Sequence, residues 1–517
     1  MRRFFYFLIC FLALIIHSNA NDCEITIFDV GQGNCILVKY NQQAIMVDAG
    51  SNELRSSHFY DYLYNLVDEP KYLLTRERVS TSGGDSEDSI NCDFNSQEVR
   101  TDPPKTDKYQ KDHKIKTIES IREKITSTSG KLKLKTLIIS HPDEDHYNWV
   151  SEIFSNDRDF QIGKVILGGV RENYKTNKKI SIQGWLDTYT KRRNKKISKV
   201  IFAGWHNGDN DTQGYAKPYC SKITDEKRTD TEKAIEQSLI FSSSGTNPTP
   251  IIEILSMNAG HSVNPLANIV YIANPDTNTN SIVLRIKHKD ASFLIPGDAN
   301  LGTWNHILSS YNDNELKTDY FLLSHHGALM DEANSPMVLG KLKPSKCFIS
   351  AGRRKGYNHP RGEVIDEVVS YLTSEADHFI SYYRSIKSKR KKEEQIVYYR
   401  KRIKHCIYST QDKGTLSFKL ASKIDVGFTR DRISPLHVRF LETEVIRPIG
   451  KQDTFIGLEN KYDTHVFILK ASNNLTSSDK KLELTGNKPF DTGKVDYILI
   501  DMIDKKIKKI ELQAIEE

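Results

Sequence analysis

The chain has 517 residues, of which 38% are hydrophobic and 27% charged, and its formal net charge is +7. That balance fits a fairly polar water-soluble protein of about two or three domains and excludes a polytopic membrane transporter. So modest a charge on a chain of this length is not in itself a sign of nucleic-acid binding.

The first residues, MRRFFYFLICFLALIIHSNAND, place two arginines before an apolar stretch that ends at Ser18, Asn19 and Ala20. This is a signal-peptide pattern, with cleavage expected after Ala20, and its apolar core is shorter than the ~20 residues of a membrane span. The remaining chain is expected outside the cytoplasm, secreted or periplasmic, with no span once the signal is removed. It keeps Cys23, Cys35, Cys92, Cys220, Cys347 and Cys406, an even number that an oxidising compartment can pair. No CxxC or Cys/His ribbon is present, which argues against a thiolate zinc site.

EITIFDVGQGNCILVKYNQQAIMVDAG (24–50) predicts three short strands separated by a glycine turn and a polar turn. The glycine turn lacks the lysine and hydroxyl of a phosphate loop, and Asp29 and Asp48 are read as turn-fixing residues. Residues 76–116 carry almost no apolar periodicity and read as a polar surface insertion. A helix is predicted over 116–130, ahead of the apolar run LKTLIIS (134–140).

Strand-like runs follow at 164–169, 199–204, 250–256, 281–288, 292–298, 319–327 and 346–352, interleaved with helix-length segments such as RGEVIDEVVSYL (361–372). Such alternation predicts an α/β (α+β) core with helices on the faces of its sheets. From about residue 426 the pattern changes to short alternating strands, so 426–517 is expected to be a small β-rich domain. Basic residues gather in KRRNKK (191–196) and SKRKK (388–392), the latter between Tyr382, Tyr383 and Tyr398, Tyr399. A solvated lysine-rich face has this composition, and so does a surface that tracks phosphates.

SHPDEDH (140–146) carries the clearest chemistry, because it leaves a predicted strand at the end where ligands collect in α/β folds. His141 and Asp143 are spaced to converge on one ion, and Asp145 with His146 to face a second. Mixed imidazole and carboxylate donors suit zinc, manganese or iron. Two later strands also end in donors beside glycine, Gly297-Asp298 and His325-His326-Gly327, which lets backbone approach an ion closely.

The order DVGQG, VDAG, SHPDEDH, NTNSIVLRI, IPGD, SHHG, SAG and NHP resembles the metallo-β-lactamase superfamily, and within it the extracytoplasmic hydrolase domain of ComEC/Rec2 DNA-uptake proteins and their free-standing relatives. IYSTQDKGTLSF (407–418) resembles the strand pair that closes that domain. The resemblance covers roughly 23–425 and implies a four-layer αββα sandwich over 21–425, with its metal site between the edges of two sheets.

Carried over by position, His141 and Asp143 would hold one divalent ion and Asp145, His146 and His326 the other, with Asp298 bridging. Zinc is favoured and manganese is the alternative. Asp143 stands where the superfamily more often has His, although the ComEC-like branch also shows Asp there. A further ligand of the first ion has no clean match, and His261, Asp276 and Asn280 are the candidates. His325, Asp145 and Asp298 are the catalytic candidates, and His359 is a second candidate for phosphate contact.

The resemblance implies hydrolysis of a phosphodiester, with nucleic acid as the favoured substrate. Two alternatives stand beside it: hydrolysis of a small phosphoester such as a phosphorylcholine group, and a binding protein that keeps the fold with weakened chemistry.

Overall fold

The meander read in residues 24–50 forms β1 (Cys23–Ile27), β2 (Ile36–Tyr40) and β3 (Gln43–Val47), each antiparallel to the next. The computed structural model describes residues 22–52, 99–100, 107–174, 182–191, 195–207, 213–224, 228–242, 248–264, 269–352, 356–372, 374, 376, 378–387 and 394–421, together with short strands at 438–441, 457–460, 501–503 and 506–509. The signal segment, most of the polar insertion and the basic run 388–392 lie outside them.

Helix α1 (Asp107–Ile125) starts well before residue 116, so the last part of the expected insertion is helical. Ile118, Ile121 and Ile125 are buried, whereas Ile115 is exposed. The opening residues DKYQKDHK hold no apolar period to read in the sequence.

After α1, β4 (Leu132–Ile139), β5 (Phe160–Leu167) and, beyond α2 (Ile182–Thr190), β6 (Ile197–Phe202) extend the sheet in parallel. Helix α3 (Asp230–Leu239) opens on a capping box in which Thr229 and Glu232 satisfy each other's backbone N–H groups. A second sheet follows. Its strands are β7 (Ile251–Ser256), β8 (Val283–His288), β9 (Ala291–Ile295), β10 (Tyr320–Leu322), β11 (Lys346–Ile349) and β12 (Ile407–Ser409), hydrogen-bonded in that order. Strands β9 to β12 run parallel.

The strand β13 (Leu416–Leu420) returns to the first sheet beside β1, completing the order β13-β1-β2-β3-β4-β5-β6. The segment 407–418 is thus not a closing strand pair. Its two strands belong to different sheets, and a short helix, Thr410–Lys413, followed by Gly414 at φ 77° carries the chain across.

One core lies between the sheets, where Ile25, Val38, Ile45 and Ile138 of the first pack with Leu284, Phe293, Leu322 and Phe348 of the second. A second core fills the outer face of the first sheet, where Leu137, Ile139 and Val165 meet Ile121 of α1 and Trp185 of α2. Adjacent residues of β4 therefore enter opposite cores, which is why that strand reads as a continuous apolar run. Helices α4 (Leu301–Ser310), α5 (Pro336–Leu342) and α6 (Gly362–Tyr371) each bury one side, and Trp304 of α4 meets Phe321 of β10 with ring centroids 6.1 Å apart. The layer order is an αββα sandwich, the one the resemblance implied.

The chain divides into two compact units, and all of the above lies in the first, made of Met1–Ser56, Asp107–Asp377 and Lys404–Thr429. The second takes Ser57–Thr106, His378–Ile403 and Arg430–Glu517. It contains the hairpin His378–Lys387 with Glu394–Ile403, whose register sets Tyr382 opposite Tyr399 and Tyr383 opposite Tyr398. Among the described residues no helix is long and apolar enough to cross a membrane. Cys23, Cys35, Cys220, Cys347 and Cys406 are all buried and free of disulfides.

Candidate metal centre

Parallel pairing puts the carboxyl ends of β3 and β4 side by side, and likewise those of β9 and β10. These ends carry Asp48, the Ser140–His146 loop, Gly297-Asp298 and the Ser324–Gly327 turn. Backbone bonds join them: Ile282 N donates to Ser140 O at 3.0 Å and His325 N to Gly297 O at 3.1 Å. Gly297 sits at φ 59°, and a Cβ there would lie 2.9 Å from the Ser140 side chain. A Cβ on Gly50 would lie 2.5 Å from the Asp145 carbonyl. At both positions a side chain would push the donor loops apart.

Three imidazoles are held by their Nδ1 atoms. That of His141 is 3.0 Å from Ser140 Oγ, that of His146 is 2.8 Å from Asp48 Oδ2, and that of His326 is 2.7 Å from Ser350 O. Their Nε2 atoms, and Asp298 Oδ1, are buried without a hydrogen-bond partner. They nevertheless converge: His146 Nε2 is 3.1 Å from Asp298 Oδ1, His326 Nε2 is 3.7 Å from that same oxygen, and His141 Nε2 is 3.8 Å from Asp298 Oδ2. Tetrahedral sites with bonds of ~2.0–2.2 Å have ligand-to-ligand edges of roughly 3.3–3.6 Å, so these spacings fit a cation. Carbonyl or carboxylate support of the far ring nitrogen is also the usual setting of a metal-binding histidine.

Two overlapping donor groups result, His141 with His146 and Asp298, and Asp145 with His146 and His326. His146 belongs to both, so the partition expected from sequence is only partly drawn. Asp143 falls in neither group. Its Oδ2 is 3.6 Å from His141 Nε2, Thr277 Oγ1 donates to its Oδ1, and its side chain is 43% exposed.

The other three candidates also lie outside both groups. Asp276 accepts from Asn278 N and Asn300 Nδ2, Asn280 accepts from Gly260 N, and His261 Nδ1 bonds Ala216 O. Among the described residues no further His, Cys, Asp or Glu joins the first group.

The charges favour a cation. Burial raises the Asp298 carboxyl, but His146, His325 and His326 outweigh it and hold it well below the usual range. Asp145 is lowered in the same way, burial being overcome by His326 and His146. Burial likewise opposes the fall of Asp143, and the neighbouring His141 brings it down to about 2. Burial would depress His146, yet Asp298 and Asp48 raise it well above its ordinary value. The arrangement stabilises positive charge at its centre, as a divalent cation supplies.

Asp48 was expected to fix a turn, and it does more. With φ 59° it accepts from Ser140 N at 2.7 Å and from Ser140 Oγ at 2.9 Å, and its Oδ2 faces His146 Nδ1. Its place at the end of β3 beside a parallel donor strand was the available signal. Asp48→Asn should keep its carbonyl toward Ser140 N and so turn NH2 toward His146 Nδ1. That forces the proton onto Nε2 and removes the donor lone pair. Metal affinity is expected to fall about 10–100-fold in a chelator-competition titration, and unchanged affinity would contradict this account.

His325 and His326 both have left-handed backbones, φ 50° and 56°, a conformation that costs about 1–3 kcal/mol per non-glycine residue. His325 Nε2 is 3.5 Å from Asp298 Oδ2, but its side chain is 16% exposed and its Nδ1 has no partner. His359 lies beside it at 5.4 Å between ring centroids, also with an unpartnered Nδ1. Burial, then His325 and His326, push His359 down to about 3, so its imidazole is neutral at physiological pH.

No family model matches the chain, and comparison with curated proteins finds no match. Among solved structures it is similar to the metallo-beta-lactamase fold protein YhfI from Bacillus subtilis, with 9% identity, 68% of this chain and 95% of that one covered, and a TM-score of 0.26. It is also similar to a mutant of the CmlA beta-hydroxylase, with 10% identity, 67% of this chain covered and a TM-score of 0.27, and spans 50% of that chain. The sandwich and the buried His/Asp groups together fit a metal-binding centre.

Proposed function

We propose that the protein is an exported phosphodiesterase that uses two divalent ions and acts on DNA or RNA. The observation that carries the reading is the pairing of a cation-favouring donor set with two imidazoles, His325 and His359, whose Nδ1 atoms have no partner among the described residues. Two ions are supported by Asp298, whose Oδ1 faces His146 and His326 while its Oδ2 faces His141 and His325. His141 and the adjacent Asp143 would hold one, Asp145 and His326 the other, with His146 on one of them and Asp298 between. The mixed imidazole and carboxylate set suits zinc, with manganese as the alternative.

Divalent cations in such a site supply Lewis acidity and a nucleophile at neutral pH. The chain's own part is to hold the donors rigidly, to exclude water by burying them, and to present imidazole N–H groups to phosphoryl oxygens. Hydrogen bonds to a charged acceptor of that kind are the stronger sort.

The metal-loaded protein is expected to hydrolyse bis-p-nitrophenyl phosphate and to cut single-stranded DNA, duplex DNA or RNA, with EDTA abolishing both activities. Neutralising Lys389, Arg390, Lys391 and Lys392 should weaken nucleic-acid binding several-fold, flatten its salt dependence by ~0.7–0.9 in log-log slope per lost phosphate contact, and spare the small substrate. Nucleic acid left intact by an enzyme active on bis-p-nitrophenyl phosphate would replace this reading with a small-phosphoester hydrolase. No activity on any of them would sink both.

A further inference from the structure

The left-handed turn at His325-His326 is closed by one side chain, Asn334, which is buried and comes from the segment leading into α5. Ser324 N donates to Asn334 Oδ1 at 2.9 Å, and Asn334 Nδ2 donates to Ser324 O at 2.9 Å and to Ala328 O at 3.2 Å. The carboxamide therefore uses its carbonyl and both N–H groups on the residues that bracket the two histidines. Its own segment is anchored in turn, because Trp304 Nε1 of α4 donates to Ala333 O at 2.8 Å.

Two consecutive non-glycine residues rarely stay left-handed unless something outside them fixes both ends. Other contacts hold one point each. His325 N donates to Gly297 O, Ser324 Oγ to Ala299 O and Arg361 N to Gly327 O, and His326 Nδ1 bonds Ser350 O. Only an amide of this length offers an acceptor to one N–H and two donors to two carbonyls. A carboxylate would face Ser324 O and Ala328 O with lone pairs, and alanine would leave all three backbone groups unpaired.

We propose that Asn334 is a positioning residue for the active centre: it keeps His326 aimed at the metal-binding donors and His325 aimed outward toward substrate. The inference rests on the reading that His326 holds a metal ion and His325 contacts substrate. Without the clamp the turn relaxes toward right-handed backbone, and both imidazoles leave their places together.

The test compares Asn334→Asp and Asn334→Ala with Asp319→Ala. Asp319 accepts from Ser292 N at 2.8 Å and from Ser292 Oγ at 2.7 Å at the far ends of β9 and β10, so its removal costs stability away from the site. For each protein, zinc and manganese affinities are measured by chelator competition, Tm without metal by calorimetry, and kcat and KM on bis-p-nitrophenyl phosphate. Both Asn334 variants are expected to bind metal at least about tenfold more weakly and to lose kcat about 10²-fold or more. Asp319→Ala should show a comparable fall in Tm with metal affinity and kcat within about twofold of wild type. Should Asn334→Ala not fold, the isosteric Asn334→Asp decides.

Asn334 variants that lose Tm as Asp319→Ala does, yet keep wild-type metal affinity and kcat, overturn the inference alone. A wild-type protein with no measurable metal affinity overturns the metal-centre reading and the inference with it.

Discussion

Asp298→Asn is expected to lower kcat on bis-p-nitrophenyl phosphate by more than about 10³-fold and to reduce bound metal, since losing a residue that merely supports a ligand already costs about 10–100-fold. The side chain is buried, and its two oxygens face different partners, His146 and His326 on one side and His141 and His325 on the other. An amide keeps the shape, so the sandwich should fold, but it offers one acceptor where the carboxylate offers two and removes a negative charge at the centre of the cluster. His146 would then lose one of the two carboxylates that raise it, Asp48 being the other. Metal content by mass spectrometry and turnover are measured on the same preparation. Wild-type turnover with wild-type metal stoichiometry would remove Asp298 from the centre and with it the two-ion reading.

His325→Ala is expected to behave in the opposite way, sparing metal content while lowering kcat by about 10²–10³-fold, the usual cost of losing a donor that stabilises developing charge. His325 stands in neither donor group and is the more exposed histidine of its turn, whereas its neighbour His326 is buried with its Nε2 at the centre. Alanine also bears a left-handed backbone poorly, so His325→Asn is measured beside it, asparagine tolerating that conformation better. Equal losses in both variants assign the effect to the missing imidazole. A large drop in metal content would make His325 a ligand instead, and unchanged kcat would exclude it from the chemistry.

Much of this was legible in the chain. Hydrophobic period is a local property, so the meander, the later strands and helices such as α6 were found from spacing alone, and the donors stood out because His and Asp gathered where apolar runs stopped. His141, Asp145, His146, Asp298 and His326 were named from those strand ends, and the structure brings all of them together. The start of α1 escaped because its opening residues, DKYQKDHK, carry no apolar period in the sequence.

Tertiary structure alone decided the rest. β12 and β13, adjacent in sequence, part to different sheets because Ile407 and Leu416 find their partners on Cys347 and Ile27, far away in the chain. Asp48 became a support for His146 only when parallel pairing set the ends of β3 and β4 together, and Asn334 became a clamp only when its segment folded over the turn. His261, Asp276 and Asn280 had suitable chemistry, but the oxygens of Asp276 accept from Asn278 and Asn300, that of Asn280 accepts from Gly260, and His261 stands outside both donor groups. A residue's chemical capacity is written in its side chain, whereas its partner is set by which distant strands lie side by side, because a hydrogen bond or a ligand edge spans only ~3 Å.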